Sequence, residues 1–165
     1  MSSTDFISTA ITELPSIFPG RILRSPMPFR SGDKDGRLYD QIKEYEVSVI
    51  VLLASDQECI EKSGRDLRAF YANESLDVIY LPTPDFGVPE NRALDAAVDE
   101  ALARLQAGAN LLVHCNAGIG RTGTFLACLA KRGMAMSAEQ AIGWVRKRIP
   151  GALETTEQLR LVAGF

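Results

Sequence analysis

The sequence predicts an α/β fold: one domain over residues 1–165, with a central, mostly parallel sheet of four or five strands flanked by helices. Three observations carry that reading. Short apolar runs rich in Val, Ile and Leu alternate along the chain with longer segments of helical period. The last of these runs, Leu111-Leu112-Val113, leads into a glycine-rich turn and then a helix, the layout that places ligands at the carboxyl ends of parallel strands. No repeat, low-complexity stretch or linker divides the chain, and 165 residues suffice for one hydrophobic core without disulfide or metal staples.

Residues 21–25 read as a short opening strand, closed by the turn Pro26-Met27-Pro28. A helix follows over residues 38–45. Residues 47–54 form a β-branched apolar run of strand length, the pattern of a strand buried on both faces. Residues 77–81 give another strand, stopped by Pro82 and Pro84. Over residues 92–106 Ala and Leu recur at helical spacing without a breaker, and residues 110–113 form the strand that delivers His114 and Cys115 to its end. The next helix spans residues 121–131 and stops at Gly133. Ser137 with Gln140 makes a capping-box pattern for a helix that ends before Pro150-Gly151, and a last helix begins at Thr155 or Thr156.

Eighteen Lys and Arg against 21 Asp and Glu leave a net charge of -3, so no global basic field draws the chain to nucleic acid or an anionic membrane. No apolar run approaches membrane-spanning length. Any anion must therefore be held locally. His114 is the only histidine and no cysteine pair has metal-ligand spacing, so neither a metal nor another cofactor is expected. The first twenty residues lack the charged start and continuous apolar run of a secretory leader, and the three cysteines are an odd number. Both fit a cytoplasmic protein with free thiols.

The segment His114-Cys115-Asn116-Ala117-Gly118-Ile119-Gly120-Arg121-Thr122-Gly123 reads as a phosphate trap with a nucleophile at its base. Cys115 and Arg121 bracket five residues, so backbone N–H groups from Asn116 to Arg121 can converge on one anion at a helix N-terminus. Gly118 and Gly120 make that curl sterically accessible. The amides, the positive helix end and Arg121 would favour a thiolate at Cys115, which is the nucleophilic form. Gly118-x-Gly120-x-x-Gly123 also satisfies a dinucleotide-binding pattern. That fold, however, needs a further apolar strand after the helix, and here two helices follow instead. Cys59 and Cys128 lack such surroundings and read as core.

This decapeptide resembles the signature of the cysteine-dependent protein tyrosine and dual-specificity phosphatases: His-Cys, five residues, Arg, then Ser or Thr. Every fixed position matches, with Thr122 at the hydroxyl position, and the resemblance runs over residues 47–158. It implies a phosphatase-like phosphate-binding loop. Cys115 would be the nucleophile, Arg121 and the loop amides would hold phosphate oxygens, and Thr122 would hydrogen-bond the departing sulfur. His114 is expected to fix the loop rather than to transfer protons.

Phosphoryl transfer to a thiolate leaves an alkoxide or phenoxide that needs a proton. By itself Pro84-Asp85-Phe86-Gly87 is turn chemistry. The stretch Leu81-Pro82-Thr83-Pro84-Asp85-Phe86-Gly87-Val88-Pro89 nevertheless resembles the acid loop of the same phosphatases, which carries Pro-Asp-x-Gly-x-Pro a few tens of residues before the nucleophile. Asp85 lies 30 residues before Cys115 (115 − 85), whereas Asp95 and Asp99 fall on a helix, so Asp85 is the expected general acid. Tyrosine-specific members carry Trp where this chain has Thr83. Phe86 has two readings, an aromatic edge for the pocket or a core side chain.

Residues 151–160 are similar to the glutamine loop of tyrosine phosphatases, with Glu154 at the first glutamine position and Gln158 at the second. Two roles stand open for Gln158: orienting the hydrolytic water, or serving as capping-box partner of Thr155. Lys131, Arg132, Arg146, Lys147 and Arg148 cluster near helix carboxyl ends, where cations offset the macrodipole.

The expected function is metal-independent hydrolysis of phosphate monoesters through a phosphocysteine intermediate, on phosphotyrosine, phosphoserine or phosphothreonine of a phosphorylated protein. The alternatives are a phosphoinositide phosphatase and a non-catalytic phosphate-binding module. Asn116, Ala117 and Ile119 stand where phosphoinositide enzymes place lysines, which favours the protein substrate. No nucleic-acid or membrane partner is expected, and the sequence specifies no oligomeric state.

Overall fold

The computed structural model describes residues 10–165. The leader reading above falls partly on residues 1–9, outside the described residues. Five strands form one sheet: β1 (Thr12–Leu14), β2 (Ile22–Ser25), β3 (Val47–Leu52), β4 (Asp77–Tyr80) and β5 (Asn110–His114). Their order is β1-β2-β5-β3-β4, with β1 antiparallel to β2 and every other pair parallel. The helices are α1 (Arg37–Glu44), α2 (Asp56–Ser63), α3 (Leu67–Asn73), α4 (Asn91–Gln106), α5 (Gly120–Gly133), α6 (Ala138–Arg148) and α7 (Thr156–Gly164).

Strand alternation sorts the apolar side chains into two cores. Ile22, Val49, Val51, Leu111 and Val113 face one layer, where Leu94 and Val98 of α4, Phe125 and Leu129 of α5, Val145 of α6 and Val162 of α7 meet them. Leu23, Ile50, Leu52 and Leu112 face the other, against Leu38, Ile42, Cys59, Leu67 and Tyr71 of α1, α2 and α3. Both faces of β3 and β5 are thus covered, and each fully buried aliphatic side chain contributes about 1.5–3 kcal/mol of transfer free energy. Cys115 continues the β5 alternation into the first core, which sets the direction of its sulfur.

Three elements escape the sequence pattern. β1 is a three-residue edge strand. Helix α2 buries only Cys59, so it carries no apolar stripe; its start is set by Ser55 capping the Glu58 N–H and its end by Gly64 in the left-handed region. Helix α3 is two turns long, with Leu67 and Tyr71 buried at i, i+4 and Asp66 as its cap. β3 ends at Leu52 rather than at residue 54, but its ladder continues: Leu53 N–H donates to the His114 carbonyl and Thr83 N–H to the Leu53 carbonyl. These bonds hold the segments that follow β5, β3 and β4 side by side. Among the described residues no helix is long and apolar enough to cross a membrane.

Candidate active site

β5 ends at His114, and residues 115–119 form the loop that feeds α5. The Gly118 N–H and the Thr122 hydroxyl both donate to the Cys115 sulfur, at 3.2 Å each. Gly118 has a φ of +72°, and a Cβ there would lie 2.3 Å from the Ser25 carbonyl oxygen, so only glycine fits the turn. No side chain caps α5, leaving its first amides to an anion.

Carbonyls of the loop are drawn outward from behind. Met27 N–H (2.8 Å) and Arg30 Nη1 (2.9 Å) donate to the Asn116 carbonyl, and the buried Arg24 donates from Nη2 to Ala117 (3.2 Å) and from Nε to Gly118 (2.9 Å). A peptide whose C=O points away from the pocket turns the following N–H toward it, so these arginines shape the amide cradle. Burial lowers the Arg24 pKa to about 10, partly offset by the sulfur of Cys115, and the side chain remains a cation behind Cys115.

His114 is completely buried. Its Nδ1 faces the Cys115 carbonyl at 2.9 Å, which can only accept, so Nδ1 carries the proton and Nε2 accepts from the Tyr71 hydroxyl at 2.8 Å. Desolvation pulls the imidazole pKa down to about 4, and burial pushes the Tyr71 hydroxyl well up, so both stay neutral. Neither imidazole nitrogen addresses the sulfur.

Arg121 is held by a carboxylate that the sequence pattern does not reveal. Nη1 and Nη2 donate to the two oxygens of Glu58 at 2.8 and 2.7 Å, and Nη1 also donates to the Thr83 carbonyl at 3.0 Å. Burial by itself would lower the arginine pKa; Glu58, the Cys115 sulfur and Asp85 outweigh it and raise it. Arg121 also lines the cleft, and Asp85 Oδ1 approaches its Nη2 at 3.3 Å. Glu58 sits on α2, whose weak pattern hides it.

Asp85, Phe86, Cys115, Asn116, Ala117, Gly120, Arg121 and Glu154 line one cleft of about 140 Å³. Phe86 is 57% exposed there, which decides its two readings: it is an aromatic edge and not a core side chain. Thr83, in the tryptophan position, is buried and anchors the loop by donating its N–H to Leu53 (2.9 Å) and its hydroxyl to Leu81 (3.0 Å). Gln158 is absent from that wall and fully buried, and the capping box with Thr155 is formed. Ile119 is the N-cap residue of α5 and packs against the core. Burial pushes the Cys59 and Cys128 thiols up to about 12, consistent with core packing. Lys131 reaches past its own helix to the Val162 carbonyl at the end of α7 (2.7 Å), and Arg132 pairs with Asp95 and Asp99. Among the described residues no group of His, Cys, Asp or Glu is placed to hold a metal ion.

Residues 15–162 match the family model described as Swiss Army Knife protein, DSP-PTPase phosphatase domain. The chain is 40% identical over 81 residues to protein tyrosine phosphatase domain-containing protein 1 of Mus musculus, covering 49% of this chain and 11% of that protein. It is 28% identical over 157 residues to tyrosine-protein phosphatase cdc-14 of Caenorhabditis elegans, covering 88% of this chain and 20% of that one. The chain therefore spans a fifth or less of these two relatives. Among solved structures, kinase-associated phosphatase with its catalytic-site cysteine replaced by serine superposes with a TM-score of 0.83 at 21% identity, covering 94% of this chain and 92% of that one. Tk-PTP in its active form gives 0.73 at 28% identity, over 88% and 90%.

Proposed function

The chain belongs to the DSP-PTPase phosphatase family, and we propose that it hydrolyses phosphate monoesters of proteins in two steps on Cys115. The observation that carries the proposal is the convergence on one sulfur of the Gly118 amide and the Thr122 hydroxyl, in a cleft shared with Arg121 and Asp85. Both donors stabilise negative charge on sulfur. An arriving phosphate dianion takes the Arg121 guanidinium and the amides of Asn116 to Arg121, displacing the Asp85 carboxyl from Nη2, and that carboxyl enters the reaction carrying a proton taken from solvent. The sulfur forms its bond to phosphorus as the ester P–O bond breaks, and protonated Asp85 gives its proton to the leaving oxygen. In the second step water bonds to phosphorus, the P–S bond breaks, and the water proton returns to Asp85. The thiolate is received by the same two donors.

A complex of PTPMT1 with PI(5)P superposes on this chain with a TM-score of 0.71 at 20% identity, so the fold also accommodates an inositol lipid. Here, among the described residues, the cleft wall carries Asp85 and Glu154 and no cation beyond Arg121, which disfavours a headgroup with several phosphates. Phe86 offers a face for an aromatic or peptidyl ester. Turnover of a chromogenic aryl phosphate in the presence of a chelator tests the chemistry: Cys115→Ser should abolish it and retain phosphate binding, and a requirement for added metal would overturn it. Matched phosphotyrosyl, phosphoseryl and phosphothreonyl peptides against phosphoinositide micelles then test the substrate class.

A further inference from the structure

The acid loop and the start of α7, some 70 residues apart in sequence, are joined by two side-chain bonds onto the peptide groups that follow Asp85. The Thr155 hydroxyl donates to the Phe86 carbonyl and Gln158 Nε2 donates to the Gly87 carbonyl, both at 3.2 Å. A capping box requires neither. For the cap, Gln158 N–H donates to Thr155 Oγ1 at 3.2 Å and Thr155 N–H to Gln158 Oε1 at 3.3 Å. The Gln158 amide group therefore faces two ways: Oε1 serves α7 and the Glu154 N–H (2.7 Å), and Nε2 serves the acid loop.

The loop needs an external hold. Phe86 has a φ of +60°, a left-handed conformation unfavourable for a non-glycine residue. The Asp85 side chain is 58% exposed and its reach toward the cleft is set by the backbone around it. Upstream, Thr83 ties that backbone to β3 and to Arg121; downstream, the bonds to Phe86 and Gly87 are the ones described. The α6–α7 connection is itself braced, since Arg146 donates to the carbonyls of Ala152 (2.9 Å) and Leu153 (3.2 Å).

Resting on Asp85 as the general acid, we propose that Thr155 and Gln158 are positioning residues that latch the acid loop over the cleft before substrate arrives. Leaving-group protonation then depends on two side chains that touch neither phosphate nor sulfur.

Gln158→Glu separates the latch from the cap, because glutamate fills the same capping-box position and a carboxylate cannot donate to the Gly87 carbonyl. Misplacing the acid should lower kcat by roughly 10–100-fold on alkyl phosphates and by less than about threefold on a dinitrophenyl phosphate, whose leaving group departs with little protonation. Thr155→Ala should show the same leaving-group dependence more weakly, with Thr155→Ser restoring most of it. In the Asp85→Asn background Gln158→Glu should cost nothing further, since both act through one proton. Hydrogen exchange supplies a readout without turnover: the Gly87 N–H, bonded to the Pro84 carbonyl at 2.9 Å, should exchange faster in Gln158→Glu. A loss equal across leaving groups, a loss that persists on Asp85→Asn, or unchanged Gly87 exchange overturns the latch. If Asp85→Asn itself shows no leaving-group dependence, the acid assignment falls and the latch with it. If that dependence holds and the two substitutions are additive, the latch alone falls.

Discussion

The floor and the roof of the cleft are built on opposite principles. The floor, residues 114–122, is one contiguous segment, buried except at the half-buried Asn116, Ala117 and Ile119, and fixed from behind by Arg24, Arg30, Tyr71 and Glu58. The roof, residues 82–89, leaves Asp85 and Phe86 more than half exposed and takes its shape from bonds to distant segments. The difference fits the role proposed for each. Charge on sulfur and phosphate is stabilised best by donors that need no reorganisation. A proton donor must meet leaving groups of varied shape, so its carboxyl stays near solvent and only its backbone is held.

The sharpest break of this comparison is at the roof's single carboxyl. Asp85→Asn should lower kcat by about 10²–10⁴-fold on alkyl or peptidyl esters, and far less on aryl phosphates with good leaving groups. Phosphate binding should persist, because the floor is untouched. A uniform loss across leaving groups, measured as a flat dependence of log kcat on leaving-group pKa, would move the acid elsewhere.

At the floor the largest effect belongs to Glu58. Its removal leaves the Arg121 guanidinium, 2% exposed, with only the exposed Asp85 carboxyl beside it; breaking a fully buried pair costs about 3–5 kcal/mol, and the 18% exposure of Glu58 puts the expected loss at or below the lower end of that range. Glu58→Ala should show that loss as a lowered urea midpoint. Added phosphate or vanadate should stabilise the variant more than the parent protein, since the anion replaces the missing charge. Equal stabilisation of both would mean that Glu58 and the ligand do not share Arg121.

The floor should also carry its own acid sensitivity. His114 titrates at about 4 in the fold against 6.5 for the free imidazole. Between those values the unfolded chain takes up a proton that the folded one refuses, so stability is full above pH 6.5 and is lost as the pH falls toward 4. The shift corresponds to about 3 kcal/mol. Urea unfolding from pH 7 to 4.5 should show this loss, and His114→Asn, with no titration there, should flatten it.

The same contrast governs what was legible in sequence. The floor's own residues are adjacent in the chain and chemically unusual together, so Cys115, Arg121 and the loop glycines stand out by spacing alone. The supports do not. Glu58 lies on a helix with a single buried residue, and Tyr71 on one of two turns, too short for periodicity to register. Arg24 did carry a signal, a lone arginine inside the apolar strand Ile22-Leu23-Arg24-Ser25; an interior cation on a strand needs a built partner, and here it holds loop carbonyls. For the roof, the turn around Asp85 says nothing of chemistry by itself, and only the resemblance to the phosphatase acid loop singled that residue out. Gln158 was readable only as two alternatives, orienting water or capping α7, because its spacing from Thr155 suits both and the sequence does not say where Nε2 points. The α/β architecture itself followed from β-branched runs, and β1 escaped because three edge residues carry no pattern.

The smallest expected effect lies where floor and roof meet. A Cβ placed on Gly120 would lie 2.3 Å from Oε1 of Glu154, so that carboxylate rests against the first turn of α5, in the cleft wall and open to solvent. It faces the place where a phosphate dianion must enter, and like charges at such an exposed site repel by no more than about 1 kcal/mol, screened by salt. Glu154→Gln should therefore lower KM for a dianionic aryl phosphate by up to about fivefold at low ionic strength, with kcat little changed and the advantage fading as salt is added. A repulsion confined to binding belongs to neither the floor's fixed donors nor the roof's proton. Loss of most turnover in Glu154→Gln would instead make this carboxylate a working part of the second step, and the roof would then hold two acid–base groups rather than one.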